Sequence, residues 1–233
     1  PGTISKGIVE DVPTPISIWG KEFILVDEIS RASPSMQNKW LEIVRSRRVM
    51  GQKVENLKYI VAAMNPVGYL GSRPLDAALA GRFSFIIRMP DIGDMGLDDI
   101  HLIVDHVSEA DAPGLDIPHY ELNISKKESL QEFIADARPR FEGMRQLYGK
   151  TITRYVTGIA ASLNHDVRAL DGRRLGMLAR NCFAYLSVVA EKLGKESFSN
   201  KELNDLLLSC LNVSLPYIAT GEEIASTIVS NSH

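Results

Sequence analysis

Phe23-Ile24-Leu25-Val26-Asp27-Glu28-Ile29-Ser30-Arg31-Ala32-Ser33 is the stretch whose reading decides the fold. Four apolar residues run without a break into two carboxylates. A short, continuously apolar run is the pattern of a strand covered on both faces by helices. The acidic pair then emerges at the carboxyl edge of a parallel sheet, where open α/β folds bind their ligands. There Asp27 suits a divalent cation, and Glu28 suits the orientation and deprotonation of a water.

Working outward, Ser33 is a good N-cap and Pro34 fits a first helical position. Met36, Trp40, Ile43 and Val44 recur at helical spacing and predict a helix to about Arg47. Arg47 to Leu57 contains Gly51 and alternates loosely, which predicts a hairpin or irregular loop. Its cations (Arg45, Arg47, Arg48 and Lys53) suit a solvated loop, and also a pore-facing or nucleic-acid-touching one. Tyr59 to Met64 is a second buried strand that ends in Asn65-Pro66. A polar side chain at the tip of a strand adjacent to the first points at the same crevice. Gly68, Gly71 and Pro74 mark a loop, and Leu75 to Gly81 a short helix ending in Arg82-Phe83. Ser84 to Arg88 reads as a third apolar strand, closed by Pro90. Upstream, residues 1–20 interleave glycines and prolines with β-branched residues, which predicts short strands or a hairpin.

Beyond about Asp91 the pattern is helical throughout. Leu97 to Val107 predicts one helix, and 110–123 a connector with Pro113, Gly114 and Pro118. Ser125 and Glu128 read as a capping box for a helix carrying Leu130, Phe133, Ile134 and Ala137. A further helix is predicted over Thr151 to Leu163. Leu175, Leu178, Ala179, Cys182, Leu186, Val189 and Leu193 trace a long amphipathic helix stopped by Gly194. Ser199 and Glu202 form a second capping box before Leu203, Leu206, Leu207, Cys210 and Leu211.

The 233 residues are enough to bury a real core, as one large domain or two small ones. No apolar run approaches the roughly 20 residues of a membrane span. Cys182 and Cys210 are too few for a disulfide framework and too far apart for a metal site, so they read as buried thiols in a reducing compartment, the cytoplasm. A net charge of -3 argues against a dominant electrostatic grip on nucleic acid. The histidines His101, His106, His119, His165 and His233 are scattered without ligand spacing.

Taken in order, the acidic strand end, the Asn-tipped strand, the Arg-Phe after a short helix and Gly172-Arg173-Arg174-Leu175 resemble the AAA+ ATPases. Within them the resemblance is to the MoxR-like branch and the related AAA_5 group, and it covers nearly the whole chain. Asp27-Glu28-Ile29-Ser30-Arg31-Ala32 is similar to that branch's Walker B stretch, with Ser30 in place of the usual Asn. Ala63-Met64-Asn65-Pro66 is similar to its sensor 1 segment, and Leu75 to Phe83 to its arginine-finger segment. Arg173 is the better match to sensor 2, with Arg174 as the fallback.

The resemblance implies an α/β fold: an AAA+ parallel-sheet nucleotide-hydrolase core over residues 1–93, incomplete at its N-terminus, followed by an all-α lid domain over 94–233. It implies that Asp27 holds Mg²⁺, Glu28 activates the water, and Asn65 orients it or contacts the γ-phosphate. Arg82 would act in trans on the neighbouring subunit's nucleotide, and Arg173 would read the phosphate state from the lid. It further implies ATP as substrate and a homo-oligomeric ring, a hexamer by the family's usual pattern. The expected work is that of a remodelling chaperone acting on a protein client, often with a von Willebrand A domain partner.

The residues leave other readings open. Asn65 suits a turn before Pro66, Arg82 a surface salt bridge, and Arg173 and Arg174 ordinary helix-start charges. A nucleic-acid-associated AAA+ motor or GTP-dependent restriction subunit is a second function, and a non-enzymatic AAA+-fold interaction module a third. Nothing in these motifs decides between ATP and GTP. No Gly-x-x-x-x-Gly-Lys-Ser/Thr phosphate loop occurs in the chain. A sheet with an open central slot leaves backbone groups unpaired. The expectation is therefore a piece of a longer protein, with no tight nucleotide binding by residues 1–233 alone.

Overall fold

A computed structural model describes residues 17–110, 124–166 and 170–221. They divide into two units, one within 1–83 and 216–223, the other within 84–215 and 224–233. The division falls between Phe83 and Ser84, and a short C-terminal piece returns to the first unit. The predicted strands or hairpin of residues 1–20 lie almost wholly outside the described residues.

In the first unit, strand β1 (Phe23–Val26) is followed by a 3-10 turn (Ile29–Arg31) and helix α1 (Pro34–Ser46). Ser33 caps α1, its hydroxyl accepting the Met36 N–H at 3.3 Å. Arg47 ends the helix in the left-handed region. A small antiparallel hairpin, β2 (Arg48–Val49) and β3 (Gln52–Lys53), turns through Met50 and Gly51, both at positive φ. Strand β4 (Tyr59–Ala62) then lies parallel to β1, with Phe23 opposite Tyr59 and Val26 opposite Ala62. Helix α2 (Ala77–Ala80) and helix α7 (Tyr217–Thr220) complete the unit, and the Leu75 N–H donates to the Ala219 carbonyl at 2.9 Å.

The sheet departs from expectation. Ile24 and Val26 are buried, but Phe23, Leu25, Tyr59 and Val61 are 47–60% exposed. These four alternate along two strands in register, so they share one face. The uninterrupted apolar run predicts cover on both faces, and the described residues supply it on one.

The second unit begins with Ser84. The strand predicted over Ser84–Arg88 does not form. A strand needs a neighbour to take its ladder bonds; here the Asn181 side chain donates to the Ser84 carbonyl at 2.6 Å, and the Ile86 N–H to the Val213 carbonyl at 2.7 Å. After a 3-10 turn (Ile92–Asp94) come α3 (Leu97–Ala110), α4 (Ile124–Asp166), α5 (Gly172–Leu193) and α6 (Asn200–Ser214). The two helices predicted within 125–163 are one helix of 43 residues, with Pro139 inside it. It starts at Ile124, so Ser125 lies within its first turn; the side chains of the predicted Ser125–Glu128 box are outside the described residues.

The core of this unit follows helical spacing. Met144, Ile152, Val156, Ile159 and Leu163 of α4 are buried, as are Leu178, Cys182, Leu186 and Ala190 of α5 and Leu203, Leu207, Cys210 and Leu211 of α6. Gly194 ends α5 in the left-handed region, and Ser199 and Glu202 form a complete capping box on α6. Arg140, one residue past Pro139, pairs with Glu191 at 2.5 Å and Glu196 at 2.8 Å. Among the described residues no helix is long and apolar enough to cross a membrane.

Candidate functional site

The site is built by the parallel pairing of β1 with β4. Both chains leave the sheet at the same edge, because parallel strands share a carboxyl end. Past the strands the pairing continues: the Ala63 N–H donates to the Val26 carbonyl at 2.9 Å, and the Ile29 N–H to the Ala63 carbonyl at 3.1 Å. In an unbroken parallel ladder the Ala63 carbonyl would take the N–H of Glu28. The ladder therefore skips one residue at the acidic pair, as in a bulge.

Glu28 is that residue. Its φ and ψ are 50° and 39°, the left-handed region, which costs an L-residue about 1–2 kcal/mol. Its N–H donates to Asp27 Oδ1 at 2.8 Å, so the first carboxylate caps the bulge left by the second. The Glu28 side chain is half exposed and meets the Arg31 guanidinium at 3.3 Å. Strain of this kind in a residue with a chemically apt side chain is a feature of functional sites.

Asn65 follows β4 and is half-buried. Its carbonyl accepts the Ser72 hydroxyl at 3.0 Å, and that hydroxyl also lies 3.2 Å from the buried Ser30 hydroxyl. Gln37, 6% exposed, donates to the Ala32 carbonyl at 3.2 Å and accepts the Asp76 N–H at 2.9 Å. Asp76 in turn caps α2, accepting the N–H groups of Ala78 and Leu79. Arg82 follows Gly81, the C-cap of α2, and is half-buried. Asp27, Glu28 and Asn65 are thus brought to one edge, and α2 with Arg82 is tied to the same turn through Gln37.

Arg173 and Arg174 lie in the second unit, in the first turn of α5. Their environments separate them. Arg173 is exposed, whereas Arg174 is 4% exposed and donates through Nη2 to the Ser214 carbonyl at the end of α6. The Arg174 N–H also donates to the Asp171 carboxylate, the N-cap of α5, at 2.7 Å. Ser72, Gln37, Asp171 and Asn181 escaped the sequence reading. Asp171 could have been found, since an Asp before a helix start is a capping signal; the other three act through contacts that no spacing encodes.

Among the described residues no group of three or more His, Cys, Asp or Glu side chains could hold a metal by itself. Mg²⁺ does not require such a group, since it keeps several waters and takes one or two carboxylates plus substrate phosphates. A carboxylate that has accepted one N–H, as Asp27 has, retains lone pairs for a cation. No protein-family model matches the chain, and no curated protein matches its sequence.

Proposed function

We propose that this chain is part of an ATP-hydrolysing AAA+ remodelling chaperone of the MoxR type, working in the cytoplasm as a ring on a protein client. On this reading residues 1–93 belong to the nucleotide-hydrolase core and 94–233 to the lid. One observation carries it: the left-handed Glu28 beside Asp27 at the edge where β1 ends and β4 runs on towards Asn65.

Asp27 is the residue to hold Mg²⁺, which when bound would neutralise phosphate charge. The Glu28 carboxylate accepts a proton from the attacking water, whose oxygen forms the new bond to the γ-phosphorus as the bond to the ADP oxygen breaks. Its contact with Arg31 engages one oxygen, Oε1, and leaves the other for the water. The Asn65 amide orients the water. Arg82, from a neighbouring subunit, donates to the γ-phosphate oxygens and offsets the charge that develops there. Arg173, exposed on α5, is the residue free to answer a phosphate; Arg174 is occupied in packing.

The test is steady-state ATP hydrolysis by the longest natural form that carries this chain, beside Glu28→Gln. Loss of a general base lowers kcat about 10²–10⁴-fold. The expected variant binds ATP and stalls. Equal rates in both forms would remove the enzyme and leave an AAA+-fold interaction module. Stimulation by DNA with a steep salt dependence would move the reading to a nucleic-acid motor.

A further inference from the structure

We infer that Ser72 is a positioning residue for the proposed hydrolytic site: its hydroxyl sets the separation between the acidic turn and Asn65. The inference rests on the function proposed above and adds to it a residue that touches neither nucleotide nor metal.

The geometry starts from Ser30. It sits two residues after Glu28 in the 3-10 turn and is 1% exposed, so its hydroxyl must find a protein partner or lose a hydrogen bond outright. Its partner is Ser72, 42 residues on in sequence, at 3.2 Å. The Ser72 hydroxyl is also 3.0 Å from the Asn65 carbonyl. A hydroxyl has one proton, and a carbonyl can only accept. With that proton given to Asn65, Ser72 accepts from Ser30, and all three groups are satisfied. One oxygen therefore joins the turn that carries Glu28 to the backbone of Asn65.

The loop holding Ser72 is shaped for this. The Tyr69 N–H donates to the Pro66 carbonyl at 3.3 Å and the Ser72 N–H to the Tyr69 carbonyl at 2.9 Å, two consecutive turns that double the chain back onto the site. Gly68 and Gly71 both adopt positive φ, at 112° and 82°. A β-carbon at Gly71 would stand 3.9 Å from the Arg31 side chain, which itself reaches Glu28. The loop thus lies against the acidic turn at two neighbouring points. Water activation needs the carboxylate and the orienting amide in fixed relation, and displacement by about 1 Å can cost about 10²-fold in rate.

The experiment measures kcat and KM for ATP in the longest natural form, with Ser72→Ala, Ser72→Thr, Ser30→Ala and the Ser30→Ala/Ser72→Ala pair, and Glu28→Gln alongside. Ser72→Ala should lower kcat about 10-fold and change KM less than about 2-fold. Ser72→Thr, which keeps the hydroxyl, should recover most of the loss. The double variant should lose no more than the worse single one, because both remove the same link. Additive losses, or a Ser72→Ala enzyme with the parent's kcat while Glu28→Gln stalls, would overturn the role of Ser72 and leave the hydrolytic reading standing. A Glu28→Gln variant as fast as the parent would overturn both.

Discussion

The two units use polar side chains for opposite ends. In the first, Asp27 and Glu28 are exposed, Asn65 is half-buried at a strand tip, and Glu28 is held in a strained conformation. In the second, Arg174, Asn181 and Ser214 are buried and meet at Ser214: Arg174 donates to the Ser214 carbonyl, and Asn181 to the Ser214 hydroxyl at 3.0 Å. Asn65 and Asn181 make the contrast sharpest. One lies past the carboxyl end of β4; the other donates to the Ser84 carbonyl and to the Ser214 hydroxyl at the end of α6. A buried polar side chain whose bonds tie segments of the fold together stabilises it. One held at the surface on a strained backbone is available for chemistry, at a cost in stability.

Arg174 breaks that comparison most forcefully if it is wrong. Arg174→Met leaves the Ser214 carbonyl without its charged donor in a buried setting, and a loss of about 2–4 kcal/mol is expected. Arg173→Ala, one residue away but exposed, should change stability by less than about 0.5 kcal/mol. Urea unfolding of the two variants decides it. Similar midpoints would show that Arg174 is not a structural residue, and would return it to the pool of phosphate-sensing candidates.

The acidic edge predicts a smaller effect of the opposite sign. Glu28→Gly should relieve the left-handed backbone and raise stability by about 0.5–1 kcal/mol, the strain outweighing the extra freedom of glycine in the unfolded chain. Glu28→Gln keeps the strain and should leave the unfolding midpoint where it is. If both variants match the parent, the bulge is not strained, and the observation that carries the functional reading loses its force.

How much of this was legible beforehand follows from the range of each interaction. Helix ends were readable because caps are local: Ser33, Ser199 with Glu202, and Gly194 all stand where their residue types predict. The two strands of the site were readable as apolar runs with polar tips, and their parallel pairing placed Asp27, Glu28 and Asn65 together. The strand predicted over Ser84–Arg88 failed because a strand depends on what lies beside it, and here the neighbours are the Asn181 side chain and the end of α6. The break predicted between Ala137 and Thr151 failed for a related reason. Pro139, Gly143 and Gly149 disfavour a helix locally. The surrounding contacts outweigh them: Arg140 is held by Glu191 and Glu196, and Tyr148 by the Phe198 backbone, whose N–H it accepts at 2.7 Å. The Ser30–Ser72 contact, spanning 42 residues, leaves no trace in periodicity at all.

The least effect expected comes from Glu202, a surface counterpart to the buried cluster. Its carboxylate is held down to about 2 from an ordinary 4.5, first by the Lys195 ammonium and then by the N–H and hydroxyl of Ser199, at 2.9 and 2.7 Å. The native carboxylate thus stays ionised where the unfolded one has begun to take up a proton. Its contribution is fully present above the unfolded value and is lost as pH falls from about 4.5 towards about 2. Glu202→Gln keeps an oxygen for Ser199 but gives up the charge facing Lys195, so its stability should fall less steeply over that window than the parent's. Because the pair is exposed, raising the salt concentration should narrow the difference. Urea midpoints taken in steps from pH 7 down to about 2.5, in low and high salt, provide the reading. Parallel acid limbs for parent and variant would mean that the start of α6 is held by the Ser199 cap alone, and that charge at the surface of the second unit contributes as little to its order as the comparison of exposed with buried groups implies.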